Sequence, residues 1–231
     1  MAAPTAEPIT IALPGGASVS GLVDCPADPH AAFVLAHGAG AGMAHAFLAS
    51  LAQGLARCGI ATLRFNFPYL ELGGKRPDPP AIAQAAVRAA VAHATTLWPD
   101  LPLFAGGKSF GGRMTSQAQA DAPLQGARGL AFVGFPLHPA GRPGVERGAH
   151  LDRVRCPMLF LQGTRDELAD PGLVAALVDR LGARATLTMI DDADHAFHVR
   201  RQSGSSDAEV VERIADTMHD WMTRCAAGPS S

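Results

Sequence analysis

The chain has little of what metal-binding, nucleic-acid-binding or membrane-spanning proteins need. Only four of its 231 residues are cysteines, and they form no C-x-x-C pair and no spacing typical of zinc ligands. Nineteen basic against twenty-one acidic residues give a net charge of −2, so the basic surplus that phosphate-driven nucleic-acid binding requires is missing. No apolar run approaches the roughly 20 residues of a membrane span. We therefore expect no bound metal, no nucleic-acid partner and no membrane partner.

Residues 1–8 lack the basic segment and the apolar segment of a secretory signal. Hydrophobic residues make up 48% of the chain and charged residues 17%, which is enough apolar material for a sizeable core and too little charge for a disordered protein. A chain of 231 residues lies near the upper end for one compact domain. We predict one domain over residues 1–231, cytoplasmic, with mobile ends at 1–7 and 226–231. The sequence gives no oligomeric state.

Short apolar runs alternate with longer helical stretches along the chain. Residues 9–13 and 19–23 flank a Pro-Gly-Gly turn and predict an antiparallel hairpin. The later apolar runs are continuous, which is typical of strands buried on both faces of a parallel sheet. The pattern predicts an α/β fold, with a mostly parallel sheet and helices on both faces. The further predicted strands are 32–36, 60–65, 101–105, 130–133, 158–161 and 185–190, and the predicted helices are 44–58, 79–97, 110–120, 171–181 and 207–224.

A glycine-rich segment follows the predicted strand at 101–105. Residues 107–111, Gly-Lys-Ser-Phe-Gly, fit the G-x-S-x-G nucleophile elbow, with a strand before and a helix after the motif, as that motif requires. The glycines let strand and helix approach closely, so the Ser109 hydroxyl would project from the sheet edge at the positive end of the helix. A developing oxyanion is stabilised at such a place. The alternative is a glycine-rich turn with an incidental serine.

Two nucleotide-binding motifs are excluded by their spacing. A phosphate-binding loop ending in Gly-Lys-Ser at 107–109 needs a glycine five positions before Gly107, where Pro102 stands. Glycines at 38, 40 and 42 follow the first predicted parallel strand, but they do not have the G-x-G-x-x-G spacing of a dinucleotide site.

The same glycine turn suggests another role. Hydrolases with a nucleophile elbow take one backbone N–H of the oxyanion hole from the loop after this strand. We predict that Ala39 donates there together with the N–H of Phe110. His37 is predicted to organise the turn rather than to act as the base, and His37 and Gly40 are possible substrate-lining residues. A turn with no role in catalysis is the alternative.

Two segments after later strands offer an acid and a base. Asp166 comes just after the apolar run at 158–161, where a carboxylate can orient an imidazole. Asp170 is the alternative acid, although a helix cap ahead of a proline explains it. His195 lies in an acidic turn after the last strand and completes the chain order Ser, Asp, His of α/β hydrolases. His198 is the alternative base or a surface residue.

The longer motifs around these residues resemble a known family. They are similar to the dienelactone-hydrolase-like branch of the α/β-hydrolase superfamily, and more narrowly to a small bacterial family related to subunit three of the animal non-specific-lethal acetyltransferase complex. The resemblance implies an α/β-hydrolase fold with Ser109 as nucleophile, Asp166 as acid partner and His195 as base. Dienelactone hydrolase itself has cysteine as nucleophile, so a lactone substrate does not carry over. The motifs are residues 35–43, 64–69, 106–113, 135–139, 161–166 and 192–195.

The segments around the site are short. Only residues 135–156 separate the strand ending near 134 from the one starting at 157, where lids of this fold are inserted, so we expect no large lid and a shallow, open pocket. Phe135, Pro136 and Tyr69 follow strand ends and are predicted either to line the substrate site or to pack. Basic residues near these segments could favour an anionic substrate, although for Arg113 we expect an intramolecular ion pair. The other two are Lys75 and Arg76.

These residues predict a serine hydrolase that cleaves a small carboxylic ester or thioester through an acyl-serine, with a small molecule as its partner. Such chemistry requires no metal and no organic cofactor. The first alternative is a non-catalytic hydrolase-fold scaffold that binds a partner. A small peptidase is less favoured, because peptidases on this fold usually carry an additional domain or lid.

Overall fold

The strands of residues 6–227, the part of the chain that the computed structural model describes, form one eight-stranded sheet. They are β1 (Glu7–Ala12), β2 (Ser18–Asp24), β3 (Ala31–Ala36), β4 (Ile60–Phe65), β5 (Leu103–Lys108), β6 (Ala127–Val133), β7 (Met158–Gly163) and β8 (Ala185–Ile190). The helices are α1 (Ala46–Arg57), α2 (Pro68–Glu71), α3 (Pro80–Leu97), α4 (Phe110–Asp121), α5 (Pro171–Leu181) and α6 (Asp207–Ala226), with 3₁₀ helices at Glu146–Arg153, Gly182–Arg184 and Arg201–Ser203.

The sheet order is β1-β2-β4-β3-β5-β6-β7-β8. β1 and β2 form an antiparallel hairpin and β2 also pairs antiparallel with β4, whereas β3 to β8 are mutually parallel. The carboxyl ends of the parallel strands therefore lie along one edge of the sheet, where ligands bind in open α/β folds. The predicted α/β architecture and the predicted hairpin are confirmed.

The sheet has an apolar layer on each face because successive side chains of a strand point to opposite sides. Every residue of β3 is buried, with Val34 in one core cluster and Phe33 and Leu35 in the other. Helices α3 and α4 cover the first face, and α1 and α6 cover the second, where Trp221 packs on Phe104 with ring centres 5.6 Å apart. Burial on both faces explains why these strands are continuously apolar in sequence.

Helix starts follow local capping signals. The carboxylate of Asp170 accepts a hydrogen bond from the Leu173 N–H at 3.0 Å, ahead of Pro171 in the first position of α5. Ser206 and Glu209 form a reciprocal capping box at the start of α6. Because such signals are local in the sequence, α5 begins at Pro171, as the predicted helix 171–181 does.

The structure differs from the predicted elements in a few places. The four-residue helix α2 and the 3₁₀ helix Glu146–Arg153 were not predicted. β1 begins at Glu7 and α6 continues through Ala226, each inside a segment predicted to be mobile. Residues 1–5 and 228–231 of those segments lie outside the described residues.

The connection from β6 to β7 holds no lid. Its only regular element is the 3₁₀ helix Glu146–Arg153, which packs against α4. The expectation of a lidless α/β-hydrolase fold is therefore confirmed. No helix in residues 6–227 has the length and apolarity to cross a bilayer.

Candidate active site

Ser109 occupies a sharp turn between β5 and α4. Its backbone has φ +51° and ψ −114°, a conformation that is uncommon and strained for a residue with a side chain. Neighbouring glycines make this turn possible: a Cβ on Gly111 would lie 2.5 Å from the backbone oxygen of Ala36 on β3, and a Cβ on Gly107 would also meet that oxygen. The glycines of the motif are therefore required for the close contact of β5, α4 and β3.

The structure brings Ser109, His195 and Asp166 into one hydrogen-bonded chain. His195 Nε2 lies 2.9 Å from Ser109 Oγ, and His195 Nδ1 lies 2.7 Å from Asp166 Oδ2. The Asp166 side chain is fully buried, whereas 23% of the His195 side chain is exposed. With the carboxylate accepting from Nδ1–H, Nε2 is the acceptor for the serine hydroxyl proton.

Asp166 is held by two further donors. Gln162 Nε2 donates to its Oδ2 at 2.5 Å, and the Leu168 N–H donates to its Oδ1 at 2.8 Å. Gln162 is itself fixed, because its Oε1 accepts from the Phe135 N–H at 3.0 Å. This buried amide, which the sequence interpretation did not identify, links the β6 and β7 loops behind the carboxylate.

The turn after β3 lies against Ser109. A Cβ at Gly38 would be 3.6 Å from Ser109 Cβ, and Ala39 lines the same cleft as Ser109. Within residues 6–227, the N–H groups of Ala39 and Phe110 donate to no protein acceptor, and Phe110 is the first residue of α4, where helical N–H groups have no internal partner. The structure thus leaves both predicted donors free beside the serine.

The cleft at Ser109 has a volume of about 190 Å³ and an apolar wall. The cleft is lined mainly by the β3–α1 loop, from which the sequence analysis predicted Ala39 as a donor, and by α1, which the sequence analysis did not assign to the site. The side chains that form the wall are Ala39, Ala41, His45, Phe47, Leu48 and Ala196.

The five residues considered as possible substrate-lining residues are not among those that line this cleft. His37, Phe135 and Pro136 are buried. His37 instead links two loops, since its Nδ1 donates to the Gly38 carbonyl at 2.8 Å and its Nε2 accepts from the Phe67 N–H at 3.0 Å. Burial lowers the pKa of His37 to about 4, so the ring is neutral. Its predicted role in organising the turn agrees with these contacts.

Tyr69 and Gly40 are also absent from the cleft wall, and they contact each other. Tyr69 lies in α2 rather than on a loop, is only 4% exposed, and its hydroxyl accepts from the Gly40 N–H at 3.2 Å. Burial raises the pKa of Tyr69, so the hydroxyl remains protonated at neutral pH. The tyrosine therefore supports the turn next to Ala39.

Both alternative residues for the acid and the base have other partners. Asp170 caps α5, as described above. His198 is exposed, and its Nδ1 lies 2.7 Å from the carboxylate of Asp207, which raises the pKa of His198 through that hydrogen bond. Neither contacts Ser109.

Lys108, which directly precedes the serine, was not predicted to contribute to the site. Its Nζ donates to the main-chain oxygen of His195 at 2.5 Å and lies 5.3 Å from the centre of the Phe197 ring. Burial lowers the pKa of Lys108 to about 8, although the nearby negative charges of Asp166 and Asp194 act in the opposite direction and raise it. A buried lysine thus ties the loop of His195 to the end of β5.

A second serine–histidine contact lies away from the cleft. Ser116 Oγ is 2.8 Å from His150 Nε2 and also donates to the Arg113 carbonyl at 2.9 Å. Burial lowers the pKa of His150 to about 4. In the described part of the chain no carboxylate bonds to His150, so this pair lacks the acid that orients a catalytic histidine.

The ion pair expected for Arg113 is not formed with any residue in the range 6–227. Its Nε is buried without a hydrogen-bond partner. The other two basic candidates, Lys75 and Arg76, are exposed. That same range contains no group of three or more His, Cys, Asp or Glu side chains placed to hold a metal ion.

A family model described as "Alpha/beta hydrolase domain" matches residues 29–223, and the chain therefore belongs to this family. Among solved structures, it is similar to an alpha-beta serine hydrolase homologue from Coxiella burnetii, with 23% identity, a TM-score of 0.73 and coverage of 92% of this chain and 99% of that one. A dienelactone hydrolase from Anabaena variabilis gives 19% identity and a TM-score of 0.74, covering 96% of this chain and 99% of that one. A lidless serine hydrolase from Xanthomonas campestris gives 23% identity and a TM-score of 0.69, covering 98% and 96%.

Proposed function

We propose that this α/β hydrolase cleaves a small carboxylic ester or thioester, with Ser109 as nucleophile, His195 as base and Asp166 as acid partner. The observation that carries the proposal is the chain of hydrogen bonds of 2.9 Å and 2.7 Å that joins the three side chains. A base within about 3.2 Å of the proton that it removes is placed for general-base catalysis. The strained turn of Ser109 supports the same role, because such turns concentrate at functional sites.

In the first half of the reaction, Ser109 Oγ attacks the carbonyl carbon of the substrate while His195 Nε2 takes the hydroxyl proton. The imidazolium then gives that proton to the leaving oxygen or sulfur as the C–O or C–S bond breaks, which leaves an acyl-serine. In the second half, a water molecule loses a proton to Nε2 and attacks the acyl carbon. The acid product departs, and Ser109 recovers its proton from His195.

Asp166 keeps the imidazole in the tautomer with its proton on Nδ1 and stabilises the cation that forms during each transfer. Gln162 and the Leu168 N–H hold the carboxylate in position. The proposed oxyanion donors are the free N–H groups of Ala39 and Phe110, the second at the positive end of α4. Such donors stabilise negative charge on the carbonyl oxygen during attack.

The size of the cleft supports a small substrate. The cleft beside Ser109 has a volume of only about 190 Å³, and the β6–β7 connection supplies no lid that could cover a longer substrate. The site therefore has little enclosed space for a large acyl group or a peptide. Similarity to a dienelactone hydrolase does not extend to a lactone substrate here, since the nucleophile is serine. The proposed class is therefore a small ester or thioester.

Labelling by a fluorophosphonate probe and hydrolysis of p-nitrophenyl butyrate test this function. The unmodified protein should do both, and Ser109→Ala should abolish both. Ser116→Ala is the matched control, because it removes the other hydroxyl that contacts a histidine, and it should still be labelled. Labelling that survives in Ser109→Ala would reject the assignment. A folded protein that neither reacts nor turns over would favour the scaffold alternative, to which the narrower resemblance to a complex subunit also points.

A further inference from the structure

Helix α4 packs against the 3₁₀ helix Glu146–Arg153, and side chains of the two helices pair in register. Ser116 Oγ lies 2.8 Å from His150 Nε2, and further along both helices Arg153 pairs with the Asp121 carboxylate at 3.1 Å. In each of these two pairs the polar groups are each other's partners: Ser116 and His150 form a neutral hydrogen bond, and Arg153 and Asp121 form an ion pair.

The same register places Arg113 opposite Arg147. Arg113 precedes Ser116 by three residues on α4, and Arg147 precedes His150 by three on the 3₁₀ helix, and residues at this spacing share one helix face. The positive charge of Arg147 contributes to the lowered pKa of Arg113, after the larger effect of burial. The pair nearest the nucleophile is thus a cation facing a cation.

Nothing in residues 6–227 neutralises this pair. Neither guanidinium forms an ion pair there. The Nε of Arg113 is buried without an acceptor, and Arg147 donates through Nη1 only to the His138 carbonyl, at 3.1 Å. His150 beside them adds no charge, because its pKa lies at about 4. Two half-buried guanidinium groups without an acid are unfavourable unless an anion from outside joins them.

The pair lies one helical turn from Ser109, since the Arg113 N–H donates to the Ser109 carbonyl at 3.1 Å. The pair also lies beside the loop that carries Asp166, and His138 makes the link. The main-chain carbonyl of His138 accepts from Arg147, and its ring Nε2 accepts from the N–H of Asp170, at the end of that loop, at 2.8 Å. In the sheet, β6 lies on one side of β5 and β3 lies on the other. The first turn of α4, which carries Arg113, and the β6–β7 connection, which carries Arg147, therefore meet on the β6 side of the serine, whereas the apolar cleft is lined mainly from the β3–α1 side.

We propose that Arg113 and Arg147 form a carboxylate-binding subsite, so that the substrate is an ester or thioester with one apolar group and one group ending in a carboxylate. The subsite deepens the proposed hydrolase function and rests on it. Arginine suits this role, because its planar fork of N–H donors matches a carboxylate.

Paired substrates of equal chain length test the subsite. The acyl arm compares mono-p-nitrophenyl adipate with neutral p-nitrophenyl hexanoate, and the leaving-group arm compares 4-carboxyphenyl hexanoate with phenyl hexanoate. In at least one arm, the unmodified protein should prefer the charged ester by about tenfold or more in kcat/KM, as a charge-assisted hydrogen bond would give. Arg113→Gln and Arg147→Gln should each remove most of that preference. The arm that responds identifies which side of the ester carries the carboxylate.

Arg153→Gln is the matched control, because it removes a cation from the same 3₁₀ helix that is already paired with Asp121, and the preference should stay. Equal kcat/KM for charged and neutral esters in both arms would overturn the subsite while leaving the hydrolase function intact. A preference that all three variants retain would also overturn it.

Binding to Ser109→Ala provides a readout that does not depend on turnover. Monomethyl adipate should raise the Tm of this variant, dimethyl adipate should raise it much less, and adding Arg147→Gln should remove the difference. No difference between the two esters would reject the subsite. If neither ester is hydrolysed by the unmodified protein but the difference in Tm is present, the hydrolase function fails and the carboxylate subsite stands.

Discussion

Gln162 and His195 both donate to the same oxygen of Asp166. Gln162 Nε2 lies 2.5 Å and His195 Nδ1 lies 2.7 Å from Oδ2. Because Gln162 is completely buried and its own oxygen accepts from Phe135, the carboxylate cannot rotate without breaking a bond between two loops. The position of the proposed base thus depends on an amide that does not touch it.

Replacing Gln162 with leucine should therefore affect stability and activity together. The Phe135 N–H would lose its acceptor and Asp166 would lose one donor, which should lower the free energy of unfolding by about 1–3 kcal/mol. Ester hydrolysis should fall mainly in kcat, since the orientation of His195 is loosened. Urea denaturation and steady-state kinetics measure the two effects. Gln84→Leu, which removes one long, half-buried bond of 3.4 Å to Gln117, should change neither much. Wild-type kcat in Gln162→Leu would contradict the positioning role.

The lowered pKa of Lys108 predicts a pH-dependent stability. Burial brings the pKa of this ammonium group from 10.5 to about 8. Between these values the unfolded chain holds a proton that the folded chain has released, so this group's contribution to the free energy of unfolding rises with pH from about 8 to 10.5. Below pH 8 both states are protonated, and the buried charge opposes folding.

The test compares the unmodified protein with Lys108→Met by urea denaturation at several pH values. The free energy of unfolding of the unmodified protein minus that of the variant should rise between pH 8 and pH 10 and be flat from pH 6 to 7.5. The only other lysine, Lys75, is exposed, and Lys75→Met should give no such rise. A flat difference for Lys108→Met across the whole range would show that its pKa is not lowered.

Gly111→Ala should disrupt the elbow. The new methyl group would lie 2.5 Å from the Ala36 carbonyl oxygen, and a backbone atom of a central strand cannot move away cheaply. We expect a loss of about 1–3 kcal/mol in the free energy of unfolding and loss of most ester hydrolysis, because α4 must shift and take Ser109 with it. Gly172→Ala, at the start of α5, meets only the flexible Asp170 side chain at 3.2 Å and should be close to neutral. An active, stable Gly111→Ala would refute the steric argument.

The architecture and the three proposed catalytic residues could be predicted from the sequence because their signals are local. Apolar runs such as 60–65 and 185–190 match β4 and β8, and each candidate side chain follows a strand end. β5 was predicted too early, at 101–105 instead of Leu103–Lys108, because its last glycines resemble a turn. Gly106 and Gly107 belong to the strand because they pair with β3 and β6, and the backbones of those strands leave no space for a side chain at either position.

The walls of the site could not be predicted in the same way. Phe47 and Leu48 were recognised as part of a helix, but whether they face the cleft depends on how α1 lies over the sheet. For Phe135 the sequence left substrate contact and packing both open, and in the structure the ring is buried against Phe132 and Phe160. A strand end locates the main chain, whereas the direction of the next side chain depends on packing that a single sequence does not contain. For Lys108 one signal was available: it is one of two lysines and adjoins a buried strand.

Tyr69→Phe should weaken catalysis without weakening substrate binding. The variant keeps the ring that packs near His37 but leaves the Gly40 N–H without its acceptor, one residue from the proposed oxyanion donor Ala39. We expect kcat to fall by about tenfold with little change in KM, since a donor that is poorly held stabilises the transition state more than it affects the bound ester. The free energy of unfolding should fall by only about 1 kcal/mol, the usual value of one hydrogen bond. Thr95→Val, which removes a hydroxyl that donates within α3, should show the small stability loss and full kcat. A kcat equal to that of the unmodified protein in Tyr69→Phe would mean that the turn holds its shape without the tyrosine, and the contact would then be structural only.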